Sequence, residues 1–320
     1  MRTITYVALG VALALSTQQA PAQQQEREWI QLFNGRDISD WIVKIAGHEV
    51  GENYASTFRV EDGVLKAAYD QYASFDMRFA HIYYREPFSD YHLVIEYRFT
   101  GDWMADVPEW ARRNSGVMLH AQDPRTMPKD QDFPISVEMQ FLGGFGDGQP
   151  RPTGNMCSPG TEVSISGRQV SSHCVNSMSQ TYDGDQWVHA EVIVRGDSIT
   201  HIINGDTVLG YTSPRVGGGV VNGFDPAVKV DGTPLRSGYI ALQGEGHPVE
   251  FRKVELRRLD HAVDRQSSGR TQMLRKPIGG LGSPCAWSMI GASPCAWYRG
   301  CPVYTVKPRS SKSFWTSTPL

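Results

Sequence analysis

The chain has no apolar run long enough to cross a bilayer, which takes about 20 residues. It also lacks any segment of ten or more residues with helical periodicity, so a doubly wound α/β fold would have no crossover helices. Neither HExxH nor CxxC occurs, which removes two common spacings of zinc ligands. Basic residues are scarce where most of the chain lies. Residues 23–260 hold 22 Lys and Arg against 33 Asp and Glu, a balance of −11. Nucleic acids and acidic polysaccharides would be repelled by such a body, whereas a neutral ligand such as a sugar would not.

The two ends differ from this body. Arg2 precedes an apolar stretch from Ile4 to Leu15, and Ala20-Pro21-Ala22 forms a small-x-small site before Gln23. Residues 1–22 therefore read as a cleavable Sec-type secretion signal with a periplasmic or secreted destination. No cysteine stands at the cleavage point, so a lipid anchor is not expected, and the apolar runs are too short for stable membrane insertion. After Asp260 the balance becomes +7, and Ser-Pro-Cys-Ala-Trp occurs at 283–287 and again at 293–297. With no sustained period, residues 261–320 read as a low-complexity, disordered extension of a domain spanning 23–260.

Of five cysteines, only Cys157 and Cys174 fall within the domain. In an oxidising compartment they are candidates for a disulfide, worth about 3 kcal/mol for so short a loop. A zinc reading would enlist His173 as well, but without a supporting motif the disulfide is preferred.

From Trp29 to Leu259 the period is two. Leu93, Ile95, Tyr97 and Phe99 alternate with more polar neighbours, as do Ile135, Val137, Met139 and Phe141. Asn204-Gly205 and Asp62-Gly63 are two-residue hairpin turns. Many short strands with Gly- and Pro-rich turns predict an all-β jelly-roll sandwich. Alternation sends Glu138 and Gln140 to the face opposite Val137 and Met139, and it places Asn114, Gly116 and His120 together on another strand. If the strands are neighbours, one sheet face carries a polar cluster. A solvated sheet face would look the same from sequence.

Six segments, in order, carry a resemblance: Leu32–Trp41 (LFNGRDISDW), Phe58–Leu65 (FRVEDGVL), Asn114–Leu119 (NSGVML), Val137–Gln140 (VEMQ), the paired cysteines with Asn155 and His173, and Gly238–Gln243 followed by Val249–Val254. Together they resemble the 3-keto-disaccharide hydrolase family, which implies a concanavalin A-like jelly roll. Three departures are visible. His120 stands where many members have Arg, Lys253 where they have Asn, and Gly244-Glu245-Gly246-His247 replaces a short turn carrying His-Gly.

The resemblance implies cleavage of a 3-keto glycoside. A carbonyl at C3 acidifies the C2 proton, a base removes it, the enolate expels the anomeric oxygen, and water adds back. This chemistry needs a base, an acid, and donors or a divalent cation at the enolate oxygen. Glu138 is the expected acid/base residue. His120 is a second candidate, because an imidazole titrates near working pH. Asn114, Gln140 and Gln243 would orient hydroxyls, Arg252 or a cation would stabilise the enolate, and Trp103 and Trp110 would stack on the sugar. Trp41 and Trp187 read as core residues. An upstream sugar 3-oxidoreductase is the implied partner. Two rivals stand beside this reading: a non-catalytic carbohydrate-binding module, and a conventional glycoside hydrolase. The latter needs two carboxylates, whereas Glu138–Gly143 offers only one.

Overall fold

Period-two alternation becomes seventeen strands in a computed structural model that describes residues 28–260. The signal segment, the tail and its three cysteines lie outside the described residues. In chain order the strands are β1 (Ile30–Gln31), β2 (Trp41–Ile45), β3 (Phe58–Glu61), β4 (Val64–Ala67), β5 (Ala80–Tyr84) and β6 (Tyr91–Phe99). Next come β7 (Asn114–Ala121), β8 (Val137–Leu142), β9 (Asn155–Cys157), β10 (Thr161–Ile165), β11 (Arg168–Gln169) and β12 (Cys174–Val175). The last five are β13 (Val188–Arg195), β14 (Ser198–Ile203), β15 (Asp206–Val216), β16 (Tyr239–Gly244) and β17 (Val249–Arg258). Helical structure among the described residues is limited to three 3-10 turns of three residues each, so none could cross a membrane.

The strands form two antiparallel sheets. The larger runs β11-β10-β15-β14-β13-β6-β17-β4-β3, with β1 also on β17, and the smaller runs β12-β9-β8-β7-β16-β5-β2. This is the all-β jelly-roll sandwich that the alternation predicts. Its core takes Leu93, Ile95, Tyr97 and Phe99 from one sheet, and Val117, Leu119, Met139, Phe141 and Leu242 from the other. Tyr97 and Phe141 stack across the gap, centroids 4.1 Å apart. Each such buried side chain contributes about 1.5–3 kcal/mol of transfer free energy. The hairpin turns are as expected: Asp62 and Gly63 both have positive φ, as do Asn204 and Gly205, which matches the twist of the strands they join.

Three expectations are corrected. His120 does not share a face with Asn114 and Gly116. On β16, Tyr239 pairs with Ala121 and Ala241 with Met118, so Leu119 and His120 both oppose Ile240 in a β-bulge. His120 takes φ +49° there and turns inward, 2% exposed, with its ring edge-on to Tyr91 at 6.4 Å. Gly238 permits the bulge, since a Cβ on it would stand 2.6 Å from His120 Cα. Arg252 lies on β17 of the larger sheet, ion-paired with Glu96, so it is remote in topology from Glu138 on β8. Trp187 is half-buried, with the Arg98 and Arg252 guanidinium groups each 4.5 Å from its ring, rather than in the core. Trp41 is a core residue as expected, its indole N–H donating to Leu32 O.

Candidate active site

The face of the smaller sheet turned away from the sandwich core carries a polar row set by strand register. Asn155 pairs with Gln140, and Gln140 with Gly116. Leu242 opposite Val117 puts Gln243 beside Gly116, and Gln243 pairs with His81, which pairs with Lys44. One register step away lie Cys157, Glu138, Met118, Ala241 and Tyr83. Met118, Ala241 and Tyr83 form an apolar cluster with Ala121 and Met127. Glu138 thus sits at the seam between an apolar patch and a polar row.

This face is covered rather than solvated. Segments from other parts of the chain lay Tyr69, Tyr72, Phe75 and Phe79 over it as a second aromatic cluster, with Met104, Val107 and Phe133 against it. Between cover and sheet lies a cavity of about 430 Å³. Glu138, Asn114, Gln140 and Glu245 line it, as do Phe79, Phe133 and Trp110. Trp110 is 53% exposed and stacks on Phe79 at 5.6 Å, leaving an aromatic surface at the rim. Trp103 is not among the lining residues, and the Arg112 guanidinium covers its ring at 3.7 Å.

Several buried groups on this face have no protein partner. They are both amide atoms of Gln243, both ring nitrogens of His81, Asn114 Oδ1 and Glu245 Oε2. A lone buried polar group costs about 1–3 kcal/mol; Asn114 and Glu245 line the cavity, whereas Gln243 and His81 lie sealed beside it, both 0% exposed. Other groups here are fixed. Asn155 donates to Gln140 Oε1 at 3.0 Å, Asn114 Nδ2 donates to Trp110 O, and Ser115 Oγ donates to Gln243 O.

Burial raises the Glu138 carboxyl to about 8. Glu245 is held well above the carboxylate range, first by burial and then by repulsion from Glu138, with Arg151 opposing. His120 is pushed down to about 4, chiefly by burial. His81 falls to about 3 for the same reason, with Lys44 adding to it. Both imidazoles are therefore neutral at working pH.

Cys157 and Cys174 form a disulfide in the cavity wall beside His173. These three are the one group of potential metal ligands drawn together among the described residues, and the bond between the sulfurs removes both thiolates. The disulfide reading therefore stands over the zinc reading. Glu138 and Glu245 have no third acidic, His or Cys ligand gathered with them among the described residues.

Of the residues singled out from sequence, the structure gathers Glu138, Asn114, Gln140 and Trp110 around the cavity and buries Gln243 in the same row. It separates His120, Arg252 and Trp103 from them. Sequence reasoning missed Glu245 and His81. A trace of Glu245 was available, because it continues the alternation of Ala241 and Gln243 past the strand end. His81 is visible only through its pairing with Gln243.

A family model described as the 3-keto-alpha-glucoside-1,2-lyase-like domain matches residues 28–257. The chain belongs to that family. The match takes in every strand of the sheet that carries Glu138. No curated protein matches the sequence. Among solved structures, a candidate glycosyl hydrolase from Parabacteroides distasonis shares 19% identity over 72% of this chain and 100% of its own, with a TM-score of 0.44. The carbohydrate-binding module CBM66 from Bacillus subtilis shares 8% over 58% and 89%, with a TM-score of 0.32. The lumenal domain of VIP36, bound to Ca2+ and Man3GlcNAc, shares 7% over 77% and 97%, with a TM-score of 0.43. The family match, with the two-sheet fold, makes the protein a carbohydrate-active jelly roll.

Proposed function

We propose that the protein cleaves the glycosidic bond of a 3-keto sugar by elimination across C1 and C2, completed to hydrolysis by addition of water. One observation carries this reading: Glu138, a carboxyl raised to about 8, stands at the floor of a cavity of sugar size. A general base works best when its pKa lies near the working pH, and removal of a proton α to a carbonyl is the step that needs one. The family's description names a lyase of 3-keto-α-glucosides, which supports extending that bond cleavage to this chain.

In this reading the Glu138 carboxylate takes the C2 proton. Asn114 Oδ1 accepts hydrogen bonds from sugar hydroxyls, and Gln140 is held for contact with the sugar by Asn155. Trp110 offers its exposed face to a ring. Export by the N-terminal signal would place the enzyme in the periplasm or outside the cell. A sugar 3-oxidoreductase would supply the ketone.

Conventional glycoside hydrolysis gains one observation, since Glu245 supplies the second carboxyl that the β8 sequence lacks. A single assay separates the two. Purified protein is incubated with a 3-keto-disaccharide and with its unoxidised parent, in deuterated water. Cleavage of the keto sugar alone, with deuterium at C2 and loss in Glu138→Gln, supports elimination. Cleavage of the parent disaccharide overturns it, and binding without turnover of either leaves a carbohydrate-binding module.

A further inference from the structure

Glu245 reaches the cavity from a different strand than Glu138. It lies one residue beyond β16, at the place in the turn where the chain departs from the His-Gly pattern it otherwise resembles. Its side chain is 2% exposed, and Oε2 has no partner in the protein. Glycines flank it on both sides, and each is needed. A Cβ on Gly244 would meet Ala67 Cβ at 3.1 Å, while Gly246 takes φ +89° and would meet Phe75. The turn is thus shaped to bring a carboxyl to this spot, where both acids line one cavity.

We propose that Glu245 is the second catalytic residue, the acid that protonates the departing glycosidic oxygen, and that Glu138 and Glu245 share one proton. The inference rests on the elimination reading above. Glu138 ionises first, at about 8, while burial and the Glu138 charge hold the Glu245 proton on beyond that point, so the singly ionised pair presents a base and an acid at once. The proton balance closes. The Glu138 carboxylate takes the C2 proton, and the C2–H electron pair forms the enolate. The C1–O bond then breaks with its electrons on oxygen, which receives the proton of the Glu245 carboxyl, releasing an alcohol and a C1–C2 unsaturated keto sugar. Glu138 now carries the proton and Glu245 does not. For hydration the roles reverse: Glu245 takes a proton from water as its oxygen bonds to C1, and Glu138 returns a proton to C2. The pair ends as it began.

The test uses two substrates of different leaving ability. Glu245→Gln should lose on the order of 10²–10⁴-fold in kcat on a 3-keto-disaccharide, the usual worth of a general acid. On an aryl 3-keto-glucoside, whose phenolate leaves without help, it should lose less than about 10-fold, and C2 hydrogen exchange with solvent should persist. An equal loss on both substrates, or loss of exchange, overturns the role of Glu245 while leaving Glu138 as base. If the native enzyme neither exchanges C2 nor cleaves the keto sugar, the elimination reading itself is gone. The shared proton is checked without substrate by infrared difference spectroscopy just above pH 8, where Glu138 has ionised. One protonated carboxyl, absent from the Glu138→Gln/Glu245→Gln double variant, is expected, and a pair with none or two refutes proton sharing.

Discussion

Gly116 lies beneath the Glu138 side chain: a Cβ on Gly116 would stand 2.8 Å from Glu138 Cγ. The two residues are diagonal neighbours across the β7–β8 ladder, since Gly116 pairs with Gln140 and Met118 with Glu138. Any side chain at 116 must therefore push the carboxyl away from the position it holds. Gly116→Ala should fold, at an overpacking cost of about 1–3 kcal/mol. It should lose on the order of 10²-fold in kcat on the keto sugar, the penalty of a displacement near 1 Å at the reacting atoms. Thermal melting with steady-state kinetics checks both, and undiminished kcat would show that Glu138 is not held by this contact.

The same carboxyl makes stability depend on pH. Glu138 titrates at about 8 in the folded protein but in the ordinary carboxylate range once unfolded. Between those values the native state keeps a proton that the unfolded state releases, so stability falls as pH rises through the window. Glu138→Gln removes that loss. The variant should match the native melting temperature near pH 4.5 and exceed it above pH 8. A gap of at least about 2–4 °C corresponds to one kcal/mol in a domain of this size. A constant gap across the range would contradict the raised carboxyl.

How far the sequence foretells this protein depends on whether a feature is local. Val137, Met139 and Phe141 show their period within one strand, so the sandwich and the shared face of Glu138 and Gln140 can be read directly. The bulge at His120 cannot, because it depends on a backbone approach by Gly238 more than a hundred residues away. Alternation alone therefore sends His120 to the wrong face. Arg252 sits in a motif near Gln243 in sequence, yet the turn after β16 carries β17 into the opposite sheet. Glu245 lies one residue past β16, where the alternation of Ala241 and Gln243 still points to its face but no longer marks it as part of a strand. His81 enters the site through register with Gln243, a long-range pairing.

The inward turn of His120 and the place of Arg252 in the opposite sheet predict which substitutions leave catalysis intact. His120→Asn suits a residue at φ +49°, since Asn tolerates the left-handed region. Arg252→Ala removes a surface ion pair with Glu96 and one guanidinium contact with the Trp187 ring, together worth roughly 1 kcal/mol or less. Both variants should keep kcat/KM on the keto sugar within about threefold. A loss of 10² or more in His120→Asn, the signature of a missing acid or base, would restore His120 as a direct participant.

The cavity wall supplies the last prediction. Cys157 is the register partner of both Glu138 and Cys174, so one residue ties the catalytic strand to the short edge strand β12. Beyond the disulfide, β12 holds to β9 through two paired positions only, and Cys174 is exposed. Replacing both cysteines with Ser removes the cross-link that limits the unfolded chain, at a cost of about 2–4 kcal/mol. The melting temperature should fall accordingly, and treatment of the native protein with a thiol reductant should reproduce the fall. Because β9 also carries Asn155, which orients Gln140, loosening this edge should raise KM more than it lowers kcat. A reduced protein with unchanged melting temperature and KM would show that the wall stands without the disulfide.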